Sequence, residues 1–202
     1  MSIVKATATS LVVFVALLFS TTAFAEKSHS HLQSKYKGEE NRIIKSLSAD
    51  DISELNKGGG WGLAKAAELN GFPGPAHVLE MEEEINLSDQ QKAEIQTLFN
   101  QMNAEAIVLG QNLIELETQL NKGFSESTID QKQLMDVVNK ISAVRAKLRL
   151  SHLSTHLKTP EILTKHQVVL YNKLRGYGNK NPCNNIPVGH DPEMWKKHNG
   201  CT

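Results

Sequence analysis

The clearest pattern in the chain is a set of apolar residues that recur alternately every four and every three positions between residues 88 and 123. This heptad repeat predicts one long helix with an apolar seam along its length. Ser88 with Gln91 three residues later predicts a capping box at its start, and Gly123 predicts its end. The helix would span about 34 residues, or about 51 Å. The seam residues are Ile95, Phe99, Met102, Ala106, Leu109, Leu113, Leu116 and Leu120.

A second heptad seam follows after a turn rich in serine and threonine, and it predicts a returning helix that reaches about Lys158. Thr159-Pro160 should break this helix, because proline lacks the amide hydrogen that a helix needs. A last helix is expected from about Lys165 to Leu174, ending at Gly176. The fold class is therefore all-α, a long antiparallel helical hairpin. The second seam consists of Leu134, Val137, Ile141, Val144 and Leu148.

Shorter elements precede the hairpin. Residues 26–46 are polar without an apolar period and are expected to form a mobile arm. Short helices are expected from Ser48 to the glycines after residue 57, from Leu63 to Leu69, and over about 76–85. We divide the chain into a signal peptide (1–25), an arm with short helices (26–75), a helical domain (76–176) and a tail (177–202). Because a bare hairpin leaves apolar surface exposed, we expect a homodimer.

The first 25 residues have the three parts of a secretory signal. Lys5 precedes an apolar run from Leu11 to Phe19, and Ala23-Phe24-Ala25 is a typical cleavage site. We expect cleavage after Ala25, export to the periplasm, and no membrane span in the mature chain. The mature chain would carry 21 of the 22 basic side chains and all 22 acidic ones, a balance that gives no electrostatic case for nucleic-acid binding.

Both cysteines lie near the C-terminus, at Cys183 and Cys201. In an oxidising compartment such an isolated pair predicts a disulfide, and a thiolate metal site is the alternative.

One short motif occurs twice. Leu87-Ser88-Asp89-Gln90-Gln91 and Leu163-Thr164-Lys165-His166-Gln167 both have the form Leu-Ser/Thr-x-x-Gln. Each is a capping box with a preceding apolar residue that can pack as a staple. Two copies that bracket a helical hairpin in an exported chain resemble the LTXXQ-motif family, which includes the Spy/CpxP periplasmic chaperones and related heavy-metal resistance proteins. Serine replaces threonine in the first copy, which preserves the capping chemistry.

The resemblance covers about residues 76–176 and implies an all-α dimer that binds non-native proteins or an envelope-stress sensor. A client-binding surface needs exposed apolar residues, and Leu150, Leu153 and Leu157 point away from the seam. The alternative is that these leucines pack on the short N-terminal helices.

Histidines form the first candidate metal site. His152 and His156 are four residues apart on the returning helix, a spacing that lets two imidazoles reach one ion, and related periplasmic metal sensors place such pairs on similar helices. His77 and Glu80 could complete the site. Alternatively, both histidines are buried and hydrogen-bonded.

The tail holds a second candidate. His190, Met194 and His198 follow i, i+4, i+8 and would offer two imidazoles and a thioether to zinc or copper if the segment were helical. The alternative is a disulfide-closed tail with solvated histidines.

We find no pattern typical of catalysis and expect no enzymatic activity. The two metal candidates lack the His-Glu-x-x-His order, and the glycine run at 58–60 lacks the ending of a phosphate-binding loop. Two functions follow from these observations. The first is a periplasmic chaperone or envelope-stress adaptor with protein partners, and the alternative is a sensor or resistance protein that binds a divalent metal such as zinc, copper or nickel.

Overall fold

The computed structural model describes residues 34–177, 183, 186 and 189–201, and the chain divides into a unit that ends at Lys37 and one that begins at Gly38. In the first unit the described residues form a turn, closed by a hydrogen bond from the Lys37 amide to the Ser34 carbonyl. The described part of the second unit is all-helical, without strands. Its helices are α1 (Ala49–Asn56), α2 (Lys65–Glu68), α3 (Pro75–Glu80), α4 (Asp89–Ser125), α5 (Gln131–Ile162), α6 (Lys165–Leu174) and α7 (Pro192–His198).

The predicted hairpin is confirmed. Helix α4 has 37 residues and α5 has 32, and the two pack against each other along their seams. Helix α4 passes Gly123 and ends at Ser125, so the predicted end was two residues early. The side chain of Ile129 packs where a Cβ of residue 123 would lie, which indicates that this glycine serves close packing of the turn. The buried seam residues include Ile95, Met102, Ala106, Leu113, Val137, Ile141 and Leu148.

The predicted break at Thr159-Pro160 was wrong, because α5 continues through Pro160 to Ile162. Pro160 lies in the last turn, so its missing amide hydrogen and the crowding by its ring weaken only the end of α5. Thr159 is fully buried, and its hydroxyl donates to the Thr155 carbonyl at 2.8 Å. This bond stabilises the turn that the proline weakens.

The segment before α1 belongs to the core. Ile44, only 4% exposed, and Leu47 lie in the same apolar cluster as Leu55 and the hairpin seam. The expected mobile arm therefore does not extend through residue 46. Helix α1 lies so close to α4 that a Cβ on Gly110 would overlap the carbonyl oxygen of Leu55.

The glycine-rich loop after α1 is anchored by its tryptophan. The Trp61 indole donates to Asp51 Oδ1 at 2.7 Å, and the Arg145 guanidinium lies over its ring at 4.7 Å. Gly58 has φ +66 and packs against the backbone of Asn103, so that only glycine fits there. Beyond the loop, α2 and α3 are shorter than predicted, since turns occupy the neighbouring residues 61–64 and 81–86.

The two Leu-Ser/Thr-x-x-Gln motifs form capping boxes as predicted, at the starts of α4 and α6. They also interlock. Gln91 Nε2 donates to Gln167 Oε1 at 2.9 Å, and Gln167 Nε2 donates to Gln91 Oε1 at 3.0 Å. The same amides donate to the carbonyls of Ile162 and Asn86. Both glutamines thus connect the two helix starts to each other and to the preceding chain segments.

We predict that Gln167→Ala destabilises the protein much more than Gln133→Ala. Gln167 is buried and makes cross-helix bonds, so its loss removes both bonds to Gln91 and leaves the Asn86 carbonyl without this donor, which should lower the free energy of unfolding by about 2–3 kcal/mol. Gln133 belongs to an equivalent capping box at α5 but is exposed, and its loss should lower it by about 1 kcal/mol or less. Urea unfolding followed by circular dichroism measures both, and equal losses would contradict the role of the interlock.

Candidate functional site

A cavity of about 630 Å³ lies between the glycine-rich loop and short helices on one side and the long helices on the other. Helices α4 and α5 form one wall, the loop over 58–62 with α2 and α3 forms another, and the end of α6 closes it. The wall is partly apolar and partly ionisable. Its apolar side chains include Trp61, Leu69, Phe99 and Met102, and its ionisable ones include Glu68, His77, His152, His156 and Arg175.

Glu68 is the central polar residue of this wall. It comes from α2 and is only 9% exposed. Its Oε1 accepts hydrogen bonds from the Tyr171 hydroxyl at 2.6 Å and from Arg175 Nε at 3.2 Å. Its Oε2 has no hydrogen-bond partner among the described residues and lies 3.8 Å from His156 Nδ1. Burial, and then the bond to Glu68, raise the pKa of Tyr171, so this phenol remains a donor.

His152 and His156 are both buried. His156 Nδ1 lies 2.8 Å from the Phe72 carbonyl, and because a carbonyl can only accept, this nitrogen carries the hydrogen. Gly74 packs against the ring so closely that a Cβ there would overlap it. His152 is 4% exposed, and its Nε2 has no hydrogen-bond partner among the described residues. Burial, and then the neighbouring His156, lower the pKa of His152.

His77 also lines this cavity, and its Nδ1 lies 2.8 Å from Glu80 Oε2. The three histidines that the sequence singled out on α3 and α5 therefore share one cavity. Within the described ranges, however, no group of three or more histidine, cysteine, aspartate or glutamate side chains is arranged to hold a metal ion. The sequence missed Glu68 and Arg175, since a charged residue on a short helix carries no signal that it is buried.

A second feature is the outer face of α5. Leu150 is 65% exposed and Leu157 is 62% exposed, and Leu153 is half-buried. The alternative that these leucines pack on the N-terminal helices is wrong for the two exposed residues. Leu150 borders a groove of about 320 Å³ between α4 and α5, which Lys147 and Lys158 also line.

Across this groove, the Ser151 hydroxyl of α5 donates to Glu105 Oε2 of α4 at 2.8 Å. This bond connects the two long helices beside Leu150. Leu150 thus lies beside both basic and acidic side chains.

The predicted disulfide is present between Cys183 and Cys201, with a Cα–Cα distance of 5.5 Å, so the alternative thiolate metal site does not form.

The tail does not stack its histidines as the second metal candidate required. Helix α7 begins at Pro192, so His190 lies outside it and contacts the edge of Trp195 at 4.8 Å between ring centroids.

At the other end of α7, His198 Nδ1 donates to the Met194 carbonyl at 3.0 Å, while the Met194 side chain is exposed. Of the three candidate ligands only Met194 and His198 lie on α7, so the tail does not place all three on one helix face. Pro192 occupies the first helical position of α7, where its missing amide hydrogen costs no helical bond.

The chain matches no known protein family, no curated protein and no solved structure. By its fold, the chain belongs to the class of all-α proteins that are built on a long helical hairpin. The resemblance to the LTXXQ-motif family therefore depends on the two motifs and the hairpin between them. The predicted signal peptide, residues 1–25, lies outside the described residues. Within the part that the structure describes, no helix is long and apolar enough to cross a bilayer.

We predict that burial of His152 makes the protein less stable in mild acid. The unfolded chain takes up a proton at the ordinary histidine pKa of about 6.5, whereas the folded chain takes it up only at lower pH. This contribution to stability is therefore complete above the unfolded pKa and falls as the pH drops from there toward the lower folded pKa. Urea unfolding at about pH 7.5 and pH 5.5 brackets the upper part of this window.

His152→Gln should reduce the difference in unfolding free energy between the two pH values, because glutamine does not titrate. His166→Gln, at an exposed position on α6, is the matched control and should leave that difference unchanged. If both variants kept the parent's pH dependence, His152 would not be its source.

Proposed function

We propose that this protein is a periplasmic chaperone or envelope-stress adaptor that binds non-native or regulatory proteins. The observation that carries the proposal is the exposed apolar face of α5, where Leu150 and Leu157 are each more than 60% exposed. Exposed apolar patches bordered by charge mark protein-binding surfaces. The resemblance to the LTXXQ-motif family points to the same activity.

The charge of α5 narrows the type of partner. The helix carries six basic and two acidic side chains, and Lys147 and Lys158 border the same groove as Leu150. A partner segment with both apolar and acidic residues would therefore match this face in both respects. Unfolded proteins expose such mixed segments, whereas most folded proteins bury their apolar part.

Export and dimerisation are parts of the same proposal. The signal-like first 25 residues support export, and the Cys183–Cys201 disulfide is typical of an oxidising compartment such as the periplasm. A homodimer would cover apolar surface of the hairpin, and light scattering on the mature chain measures the oligomeric state directly.

We predict that the mature chain suppresses aggregation of an unfolding client protein at equimolar ratio, and that Leu150→Ser combined with Leu157→Ser weakens client binding by about tenfold. The reason is the loss of two apolar contacts at the centre of the face. Aggregation is followed by light scattering, and client affinity by fluorescence anisotropy.

The matched control is Phe124→Ser, which removes a similarly exposed apolar side chain near the end of α4. Phe124 lies about 28 Å along α4 from Glu105, whose carboxylate accepts from Ser151 in the groove beside Leu150. Equal loss of client binding in both variants, or no suppression by the parent, would contradict the proposal. The oligomeric state of each variant shows whether the leucines act on the client or on a dimer contact.

One observation favours the alternative function of a metal-binding sensor or resistance protein. His152 and His156 line one cavity with Glu68, and both His152 Nε2 and Glu68 Oε2 lack hydrogen-bond partners within the described ranges. Neutral imidazole and carboxylate groups are ligands for zinc, copper and nickel. Binding would need a rearrangement, because these groups do not already surround a common point.

For this alternative we predict stoichiometric binding of Zn²⁺, Cu²⁺ or Ni²⁺ at roughly micromolar affinity or tighter, measured by calorimetry. It should disappear when His152→Ala and His156→Ala are combined, because the imidazoles are the ligands. The control combines His190→Ala with His198→Ala and removes only the tail histidines. Binding that survives the first pair and is lost in the second would assign the metal to the tail and reject this cavity.

A further inference from the structure

Several polar groups at the ionisable end of the 630 Å³ cavity are bonded within the protein. Arg175 donates through Nε to Glu68 at 3.2 Å and through a terminal nitrogen to the Tyr177 hydroxyl at 3.3 Å. The Tyr171 hydroxyl donates to Glu68, and His156 donates through Nδ1 to the Phe72 carbonyl.

Two buried polar atoms are left without a partner at the same place. Glu68 Oε2 has no hydrogen-bond partner among the described residues, and a carboxylate oxygen can only accept. His152 Nε2 is also unpartnered there. A buried acceptor without a donor is unfavourable, so this site is complementary to a molecule that brings a donor.

Charge and shape restrict that molecule further. Arg175 already neutralises Glu68, so an uncharged hydroxyl is a better donor here than an ammonium group, which the guanidinium would repel. The apolar part of the wall, which includes Trp61, Phe99 and Met102, suits an aromatic or aliphatic body. The volume lies within the range of about 300–1,000 Å³ that small-molecule sites occupy.

We infer that this cavity is a binding site for a small uncharged molecule with an apolar body and a hydroxyl group that donates to Glu68. The site goes beyond the proposed protein-binding function, because neither Leu150 nor Leu157 lines this cavity. Glu68 selects the hydroxyl, and the aromatic wall holds the body.

Phenol and anisole form a matched pair of probes for this site. They share one ring, but only phenol can donate a hydrogen bond. Each is titrated into the ¹⁵N-labelled protein and followed by amide chemical shifts. We expect saturable shifts at residues of the cavity wall and about tenfold tighter binding of phenol.

Two variants test the site from different sides. Glu68→Gln replaces the unpartnered carboxylate with an amide and should weaken phenol about tenfold while leaving anisole unchanged. Ala64→Trp fills the cavity away from the polar cluster and should abolish binding of both probes. Glu115→Gln, at an exposed position on α4, is the control and should change neither affinity.

If Glu68→Gln fails to fold, two measurements still test the site. One is the Ala64→Trp variant, and the other is the comparison of phenol with anisole on the parent protein. Equal affinity for the two probes would overturn the inference. So would shifts located at the groove beside Leu150, or the absence of saturable binding, which would show that the cavity holds water only.

Discussion

The reciprocal amide bonds between Gln91 and Gln167 are the constraint on which the rest of the architecture depends. Each glutamine closes its own capping box and also satisfies a carbonyl of the segment that leads into the other helix. The starts of α4 and α6 are thereby held together with the end of α5. An apolar cluster of Val78, Ile85, Ile95, Leu163 and Tyr171 packs around this junction, and through it Tyr171 meets Glu68.

Close backbone approach then decides which side of the hairpin is covered. At Gly110 and Gly74 the absence of a side chain lets α1 and the segment before α3 approach the long helices directly. The N-terminal segments therefore cover the side that carries His152 and His156. Leu150 and Leu157 remain exposed on the outer face of α5. One side of the hairpin thus encloses a cavity, and the other presents an apolar surface flanked by lysines.

The buried polar cluster around Glu68 is difficult to explain by stability alone. Removing a carboxylate and two imidazoles from water is unfavourable, and the bonds from Tyr171 and Arg175 offset this for only one oxygen of Glu68. An apolar residue in that position would avoid the penalty. Partly satisfied polar groups beside a cavity are typical of binding sites, where a ligand supplies the missing partner.

The sequence by itself determined the helical class, both hairpin seams, the capping boxes and the cysteine pair, because heptad spacing, cap chemistry and an isolated pair of cysteines are local properties of the chain. It misjudged Gly123 and Pro160 as helix ends, since packing by Ile129 and the Thr159 hydroxyl outweighs local propensity there. It also placed Ile44 in a mobile arm, and it left open whether the tail histidines share one helix face. Only the tertiary structure decided that Glu68 is buried, that His77 and His152 share its cavity, and that Leu150 remains exposed. These depend on contacts between residues up to 107 positions apart, as between Glu68 and Arg175, which no local pattern encodes.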